Sequence, residues 1–404
     1  MNIKTSFFLA YTSIKRGSKG TLMMTILIMT LAYVNIVFIS SIFGGIVEAM
    51  NNESINNQYS NIVIEPAIDE RYINNKEAMQ LIDTLPGVVG SSKHYNDKAF
   101  ISYDEYKDRK DIKSGNWVIK SVDIDDEIKV TQIHESIIKG SYLDSTDRDE
   151  IILGKEIAGG QGGGLEHLSL GGILIGDKID VRFSNNIKRT YTVKGIFSVK
   201  NTQVDQMAFV TKKEMESVLN VHNLASEVLV KIENTGDEDD YIKDIKMLGL
   251  HDEDIKKWDE LMGFTSSASK SFTMISVILG VIGTIVAGVT IFIIIFVSVV
   301  NKRKQIGILK AIGMMENTII LSFVIQALFY GVIGVILGAS VILFILRPLF
   351  ITNPLDFPVG WVSLKVTFNI IRISNISLLL ASLIGGFFPA FRGAKESILK
   401  SIWS

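Results

Sequence analysis

No cysteine occurs among the 404 residues. That absence excludes disulfide frameworks, thiolate metal sites, cysteine nucleophiles and lipid attachment through an N-terminal Cys. Neither charge is in excess: 43 Asp plus Glu stand against 41 Lys plus Arg, a formal net of -2 and too near neutral for a nucleic-acid binder. The five histidines, His94, His134, His167, His222 and His251, are scattered without metal-ligand spacing. A Gly-x4-Gly-Lys-Ser/Thr phosphate loop is also missing. The expectation is a chain that binds no cofactor or metal itself and is not an enzyme.

Ionisable side chains are absent from four long stretches: 20–47 (28 residues), 271–301 (31), 317–346 (30) and 373–391 (19). Each reaches the roughly 18 to 20 residues a helix needs to cross about 30 Å of hydrocarbon. At about 1.5 Å per residue the three longer runs span about 42 to 46 Å, so some of their length projects from the bilayer. They read as transmembrane helices. The first is too long for a cleaved signal core and reads as a retained anchor.

Basic flanks orient the spans. Residues 1–19 carry Lys4, Lys15, Arg16 and Lys19 without an acid, the loop 302–316 carries Lys302, Arg303, Lys304 and Lys310 against Glu316, and the tail 392–404 carries Arg392, Lys395 and Lys400 against Glu396. Such flanks stay in the cytoplasm. Residues 48–270 hold 40 acids and 27 bases, a net of -13, as expected of an exported domain. Four spans, both termini cytoplasmic, an extracytoplasmic loop at 347–372 and location in the cytoplasmic (inner) membrane satisfy every constraint.

The segment between the first two spans carries strand signals at Asn61 to Glu65, Ala99 to Tyr103, Trp117 to Val122, Glu150 to Leu153, Lys178 to Phe183, Arg189 to Phe197 and Glu227 to Ile232, with a hairpin across Ser184 to Lys188. Helical patterns fall at Asn75 to Leu85 and Lys212 to Leu219, and an α+β domain follows. The glycine strip Gly159 to Gly164 reads as a turn and the acidic run Asp237 to Asp240 as a solvated loop, since neither has the spacing of a phosphate or calcium loop. Ser267 and Lys270 stand at Ser-x-x-Lys spacing without partner motifs. Ile46 to Gln58 and Asp252 to Ser276 look helical and would prolong the first two spans as a stalk.

Ion-coupled carriers place ionisable groups inside the membrane, and these spans have none. Asn35 and Gln326 are expected to bond to neighbouring helices, and Gly283, Ala287, Gly331, Gly334 and Gly338 permit close packing within one subunit or between two. The loop after the second span is the most informative segment. On a helix from Lys302, the residues Gln305, Ile308, Leu309 and Ile312 share a face that Gly313 terminates, and an apolar helix there needs lipid or a protein groove to cover it.

The stretch VNKRKQIGILKAIG (Val300 to Gly313) resembles the signature of FtsX-like ABC permeases, the superfamily of MacB, FtsX and the lipoprotein-releasing LolC and LolE. The family form has an acid where Gln305 stands. GDKIDV (Gly176 to Val181), TVKGIF (Thr192 to Phe197) and AFVTKKEMESVL (Ala208 to Leu219) resemble the MacB-like periplasmic core, and FPAFRGAKESILKS (Phe388 to Ser401) the family's closing segment. The implied fold is an α-helical membrane protein with four transmembrane helices and an α+β extracytoplasmic domain of MacB-like periplasmic core type inserted between helices 1 and 2. The implied partners are a cytoplasmic ABC ATPase that binds ATP and Mg, a second permease subunit, identical or homologous, and the lipid bilayer. The ATPase would grip Lys302, Arg303, Lys304, Gln305, Ile306, Gly307, Ile308, Leu309, Lys310, Ala311, Ile312 and Gly313 as a coupling helix. ATP-driven closure would then move the exported domain, which is mechanotransmission.

Val193 to Val210 and Gln305 to Gly338 look most like the LolC and LolE branch, which implies lipoprotein as cargo. Its acyl chains would enter between the first two spans against Met23, Ile26, Phe38, Ile278 and Ile285. The short turn at Ser184 to Lys188 stands where LolC has an extended carrier-docking insertion, so transfer to a soluble carrier is not implied. The alternatives are an FtsX-like regulator of a cell-wall hydrolase and a MacB-like permease for peptides or macrolides.

Overall fold

The computed structural model describes residues 3–105, 112–160, 166–251, 253–357 and 360–396, without the side chains of 264 and 265. They fall into two units: one built from the residues up to Glu48, Ser269–Asp356 and those from Trp361 on, the other from Ala49–Ala268 with Phe357–Gly360. The first two helices are α1 (Ile3–Arg16) and α2 (Lys19–Ser54), the latter running into a π turn at Ile55–Tyr59. In α1, Ile3, Phe7, Phe8 and Tyr11 are exposed along one side while Ser6 and Ala10 are buried on the other.

The second unit follows in the order β1 (Ile62–Glu65), α3 (Lys76–Leu81), β2 (Val88–His94), β3 (Asn96–Asp104), β4 (Ile112–Val122), α4 (Ile124–Val130), β5 (Ile137–Gly140), β6 (Glu150–Gly154) and α5 (Lys155–Ala158). It continues with β7 (Lys178–Arg182), β8 (Lys188–Phe197), β9 (Met207–Thr211), α6 (Lys212–Leu219), β10 (Glu227–Ile232), α7 (Glu238–Met247), β11 (Asp254–Lys257) and α8 (Trp258–Leu261). One sheet has the order β11-β1-β10-β2 and is antiparallel throughout. The other runs β5-β8-β6-β9-β4-β3-β7, and β7 pairs again with β8, so the six strands from β8 to β7 form a closed ladder with β5 added beside β8. Alternation shows why: in β7, Ile179 and Val181 are buried while Lys178, Asp180 and Arg182 face out. Ile101, Ile119, Ile151, Val181, Tyr191 and Val193 fill the core inside that ladder, and α3 and α7 cover the smaller sheet over Ile62, Met79, Val230 and Ile245.

A buried ionic network ties these elements. The His94 ring donates from Nδ1 to the Ser121 carbonyl at 2.7 Å, and its Nε2 lies 3.0 Å from Glu127 Oε2. Both nitrogens face acceptors, which is the geometry of an imidazolium. Glu127 also accepts from Ser92 Oγ at 2.6 Å and Thr131 Oγ1 at 2.7 Å, while Lys120 Nζ meets Glu227 Oε1 at 2.8 Å. Burial opposes the charged ring, yet the Glu127 carboxylate outweighs it and holds His94 above its usual 6.5. Burial likewise opposes the Glu127 charge, but His94, Ser92 and Thr131 bring the carboxyl down to about 2. A raised His94 stabilises fully below 6.5 and loses that contribution as pH rises through its folded-state value; a depressed Glu127 stabilises above 4.5 and loses it as pH falls toward 2. Hydrogen-exchange protection of β2 and α4 is therefore expected to peak between those two usual values and to fall on the alkaline side. A flat alkaline limb would mean that the ring is neutral in the fold.

Two expectations for this unit are corrected. The stretch 252–276, taken as a helical stalk, forms β11 in its first part, because an edge of the smaller sheet is open there and Ile255 pairs with Ile64. Helix resumes only with α8; residue 252 lies outside the described residues. The acidic run is no loop either: Asp237 precedes α7 without a side-chain capping bond, and Glu238, Asp239 and Asp240 fill its first turn, where the helix dipole favours carboxylates. Of the glycine strip, only Gly159 and Gly160 fall among the described residues.

The first unit is completed by α9 (Gly263–Asn301), α10 (Arg303–Ala311), α11 (Glu316–Val341), a π turn at Ile342–Leu346, α12 (Arg347–Thr352) and α13 (Phe368–Lys395). Four helical stretches, Lys19–Tyr59, Ser266–Asn301, Glu316–Thr352 and Phe368–Lys395, are long and apolar enough to cross a bilayer. Met29, Tyr33, Ala287, Ile291, Phe323 and Leu378 form their shared core. The intramembrane glycines pack inside this chain: a Cβ on Gly334 would reach Met29 of α2 at 2.8 Å, and one on Gly331 would reach Ser382 of α13 at 2.5 Å. Gln326 accepts from Ser13 of α1 at 3.2 Å and donates to Tyr330, as a buried amide should.

A close backbone approach joins α9 and α13. A Cβ on Gly385 would stand 2.4 Å from the Gly288 carbonyl oxygen, a backbone atom that cannot rotate aside. Gly385→Ala is expected to destabilise the bundle by about 1–3 kcal/mol, seen as a lower thermal midpoint in detergent. An unchanged midpoint would show that these helices lie further apart.

Candidate coupling helix and membrane groove

The geometry of α10 follows from its two ends. Lys302 precedes it with φ -106°, and Gly313 at φ +90° closes it. The Gly313 N–H donates to the Lys310 carbonyl and the Met314 N–H to the Leu309 carbonyl, the double bond of a Schellman turn that only a left-handed residue permits. Gly313 therefore fixes where the helix stops, as its sequence position suggests.

One side of α10 is fastened to the bundle. Ile306 is buried in the transmembrane core, Leu309 packs against it, and Gly307 is buried beside them. Lys310 Nζ donates to Glu316 Oε1 at 2.7 Å, to the Ala394 carbonyl at 2.7 Å and to the Glu396 carbonyl at 2.9 Å. Arg303 pairs with Glu396 at 2.8 Å, and Lys302 Nζ donates to Ser13 Oγ. A displacement of α10 must therefore pull on the start of α11 and the end of α13.

The other side is open. Ile308 is 50% and Ile312 74% exposed, with Lys304, Gln305, Ala311 and Met315 exposed around them. The apolar face expected from the sequence is thus divided: Ile308 and Ile312 point outward, whereas Leu309 turns in beside Ile306. The heptad-like spacing could not separate them, because the boundary between the two faces runs between adjacent residues about 100° apart on the helix.

Between α2, α9 and α13 lies a groove of about 600 Å³. Ile36, Phe43 and Val47 of α2, Val277, Val281 and Ile285 of α9 and Ile370 and Ile373 of α13 supply its apolar wall, with Ser40, Thr284, Ser374 and Ser377 among them. Lys365 lines it and pairs with Glu48 at 2.9 Å. Of the five residues expected to face cargo, Ile285 lines this groove. Ile26 and Phe38 pack against the helix core instead, Phe38 edge-on to Phe350, and Met23 and Ile278 are exposed without lining it. The lining from α13 was not anticipated, because nothing in a charge-free run tells which spans become neighbours. Among the described residues no cluster of His, Asp and Glu could hold a metal ion.

Two family models match. Residues 22–248 fit the MacB-like periplasmic core domain and residues 277–398 the C-terminal part of FtsX-like permeases. The macrolide export ATP-binding/permease protein MacB of Campylobacter jejuni is 31% identical over 133 residues, 33% of this chain and 20% of that protein. The chain thus matches about a fifth of the length of such curated relatives. An uncharacterised ABC transporter permease of Methanocaldococcus jannaschii is 24% identical over 278 residues, 66% of this chain and 65% of that one. Among solved structures, the periplasmic region of MacB from Actinobacillus actinomycetemcomitans aligns with a TM-score of 0.36 at 11% identity, over 51% of this chain and 92% of that one. Neither family model separates the LolC and LolE branch from the MacB type. On the two family matches, which follow one another along a chain with four apolar helices and a large α+β domain between the first two, this protein belongs to the FtsX-like ABC permease superfamily and carries a MacB-like periplasmic core domain.

Proposed function

We propose that this chain is the transmembrane subunit of an ABC machine that works by mechanotransmission. A cytoplasmic ATPase, carried on a separate subunit, holds the outer stripe of α10, and ATP-driven closure moves the spans and with them the extracytoplasmic domain. The observation that carries this reading is the division of α10 into a fastened side, Ile306 with Lys310, and an open apolar side, Ile308 with Ile312. ATP and Mg belong to the ATPase. A second permease, identical or homologous, completes the pair, and α1, α10 and both termini face the cytoplasm.

The cargo we infer is lipoprotein, whose acyl chains suit an apolar groove bounded by α2, α9 and α13 with one cation, Lys365, on its wall. MacB-like efflux is the second reading, favoured by relatives that carry macrolide export in their names. Co-purification from native membranes followed by mass spectrometry tests the machine: recovery of an ABC ATPase is expected, and a stable assembly without one would contradict it. Diacylated peptide cross-linking to Val281 or Ile373, competed by lipoprotein but not by macrolide, decides between the cargoes.

A further inference from the structure

A second cavity, of about 360 Å³, opens between α1, α10 and the first turns of α11. Its wall is two-natured. Leu9, Ile306, Leu309 and Phe323 are apolar, while Arg16, Lys302, Thr12 and Ser13 supply cations and hydroxyls. Neither Arg16 nor Lys302 has a carboxylate within ion-pair distance among the described residues, in contrast to their neighbours Arg303 and Lys310. Residues 1–47 contain no acid at all. Lys302 is half-buried, with Ser13 Oγ as its neutral partner, and that burial pushes its ammonium below the usual value. An anion in the cavity would relieve a cost that the chain leaves uncompensated.

The cavity stands where α9 ends, at Asn301, and α11 begins, at Glu316, which is headgroup depth for spans of this length. Beside it α1 exposes Ile3, Phe7, Phe8 and Tyr11, the pattern of a helix lying in the membrane interface. The open stripe of α10, Ile308 with Ile312, is not part of the lining, so a protein docked on that stripe need not enter the cavity. We propose that the cavity between α1, α10 and α11 holds the phosphate headgroup of an anionic phospholipid, with Arg16 and Lys302 as its cations; the Thr12 and Ser13 hydroxyls, which donate to the Phe8 carbonyl and to Gln326, line the wall without serving as its donors. A lipid held there would fasten α1 to α10 at the root of the coupling helix. The assignment requires the membrane placement of the spans but no ATPase, so its failure is separable from that of the proposed function.

The test uses the full chain in nanodiscs of equal phosphatidylglycerol and phosphatidylcholine, with the lipids retained after mild detergent release counted by native mass spectrometry. Phosphatidylglycerol should be retained in preference by roughly thirtyfold, the order of factor that two membrane-facing cations supply. Arg16→Gln with Lys302→Gln should abolish the preference, whereas Lys15→Gln, an exposed cation outside the lining, should leave it. Equal retention of the two lipids by the unaltered chain would overturn the proposal without recourse to any variant. An equal loss in Lys15→Gln would overturn it by showing a diffuse surface effect, and complete displacement by millimolar inorganic phosphate would assign the site to a soluble anion instead.

Discussion

Replacing Ile308 and Ile312 together by Asp is expected to abolish stimulation of the partner ATPase by this permease while leaving insertion and folding intact. Both side chains are at least half exposed, so a carboxylate at either position stays hydrated in the free chain. In the complex it would be trapped against a groove built for apolar side chains, and central contacts of that kind lose about 2 kcal/mol or more, roughly thirtyfold in affinity. The fastening of α10 does not depend on either residue, since it rests on Ile306, Leu309, Arg303 and Lys310. ATP hydrolysis by the reconstituted pair, with size-exclusion behaviour of the permease as control, reads the outcome. Leu309→Asp is a poorer probe: its side chain packs against the bundle, and the charge would disturb the fold before it reached a partner. Unaltered stimulation in the double variant would place the ATPase contact elsewhere.

Removal of the Glu127 carboxylate should have the largest effect on the extracytoplasmic domain. Glu127→Ala leaves the His94 ring, the Ser92 hydroxyl and the Thr131 hydroxyl facing a void, all of them buried. Breaking a buried pair by removing one member typically costs about 3–5 kcal/mol. Because β2 and α4 meet at this network, hydrogen exchange of the full chain should show their protection collapse, while α6, which packs on the other core, keeps its own. Glu127→Gln keeps the volume and can pair with a neutral imidazole. It should lose less and flatten the alkaline fall in protection that the charged pair produces. Full protection of β2 in Glu127→Ala would mean that the network does not hold the two elements together.

Charge gaps and basic flanks exposed the four spans and the inserted domain because a bilayer imposes its constraint residue by residue. Strands with strong alternation were legible too: β10 lies at Glu227–Ile232, where its pattern puts it, and β7 and β8 form the hairpin that their spacing suggests. What the chain did not disclose depends on neighbours. Ser91, Ser92 and Lys93 give β2 a polar run that reads as loop, yet the strand forms because β10 offers it a full ladder. β11 is rich in charge and looks helical until the open edge of β1 claims it. The candidate sites followed the same division. Gly313 declared the end of α10 by its own backbone requirement, whereas the inward turn of Leu309 and the contribution of α13 to the groove depend on how helices distant in sequence come together.

Freedom from cysteine makes the lever itself directly measurable. Single cysteines introduced at Lys304 on α10 and at Asp239 on α7, both exposed positions, can be labelled with a membrane-impermeant maleimide in intact cells and again after permeabilisation. Mechanotransmission requires Asp239→Cys to react in intact cells and Lys304→Cys only once the membrane is opened. Labelling of both from the same side would leave no bilayer between the driven helix and the driven domain, and would contradict the account.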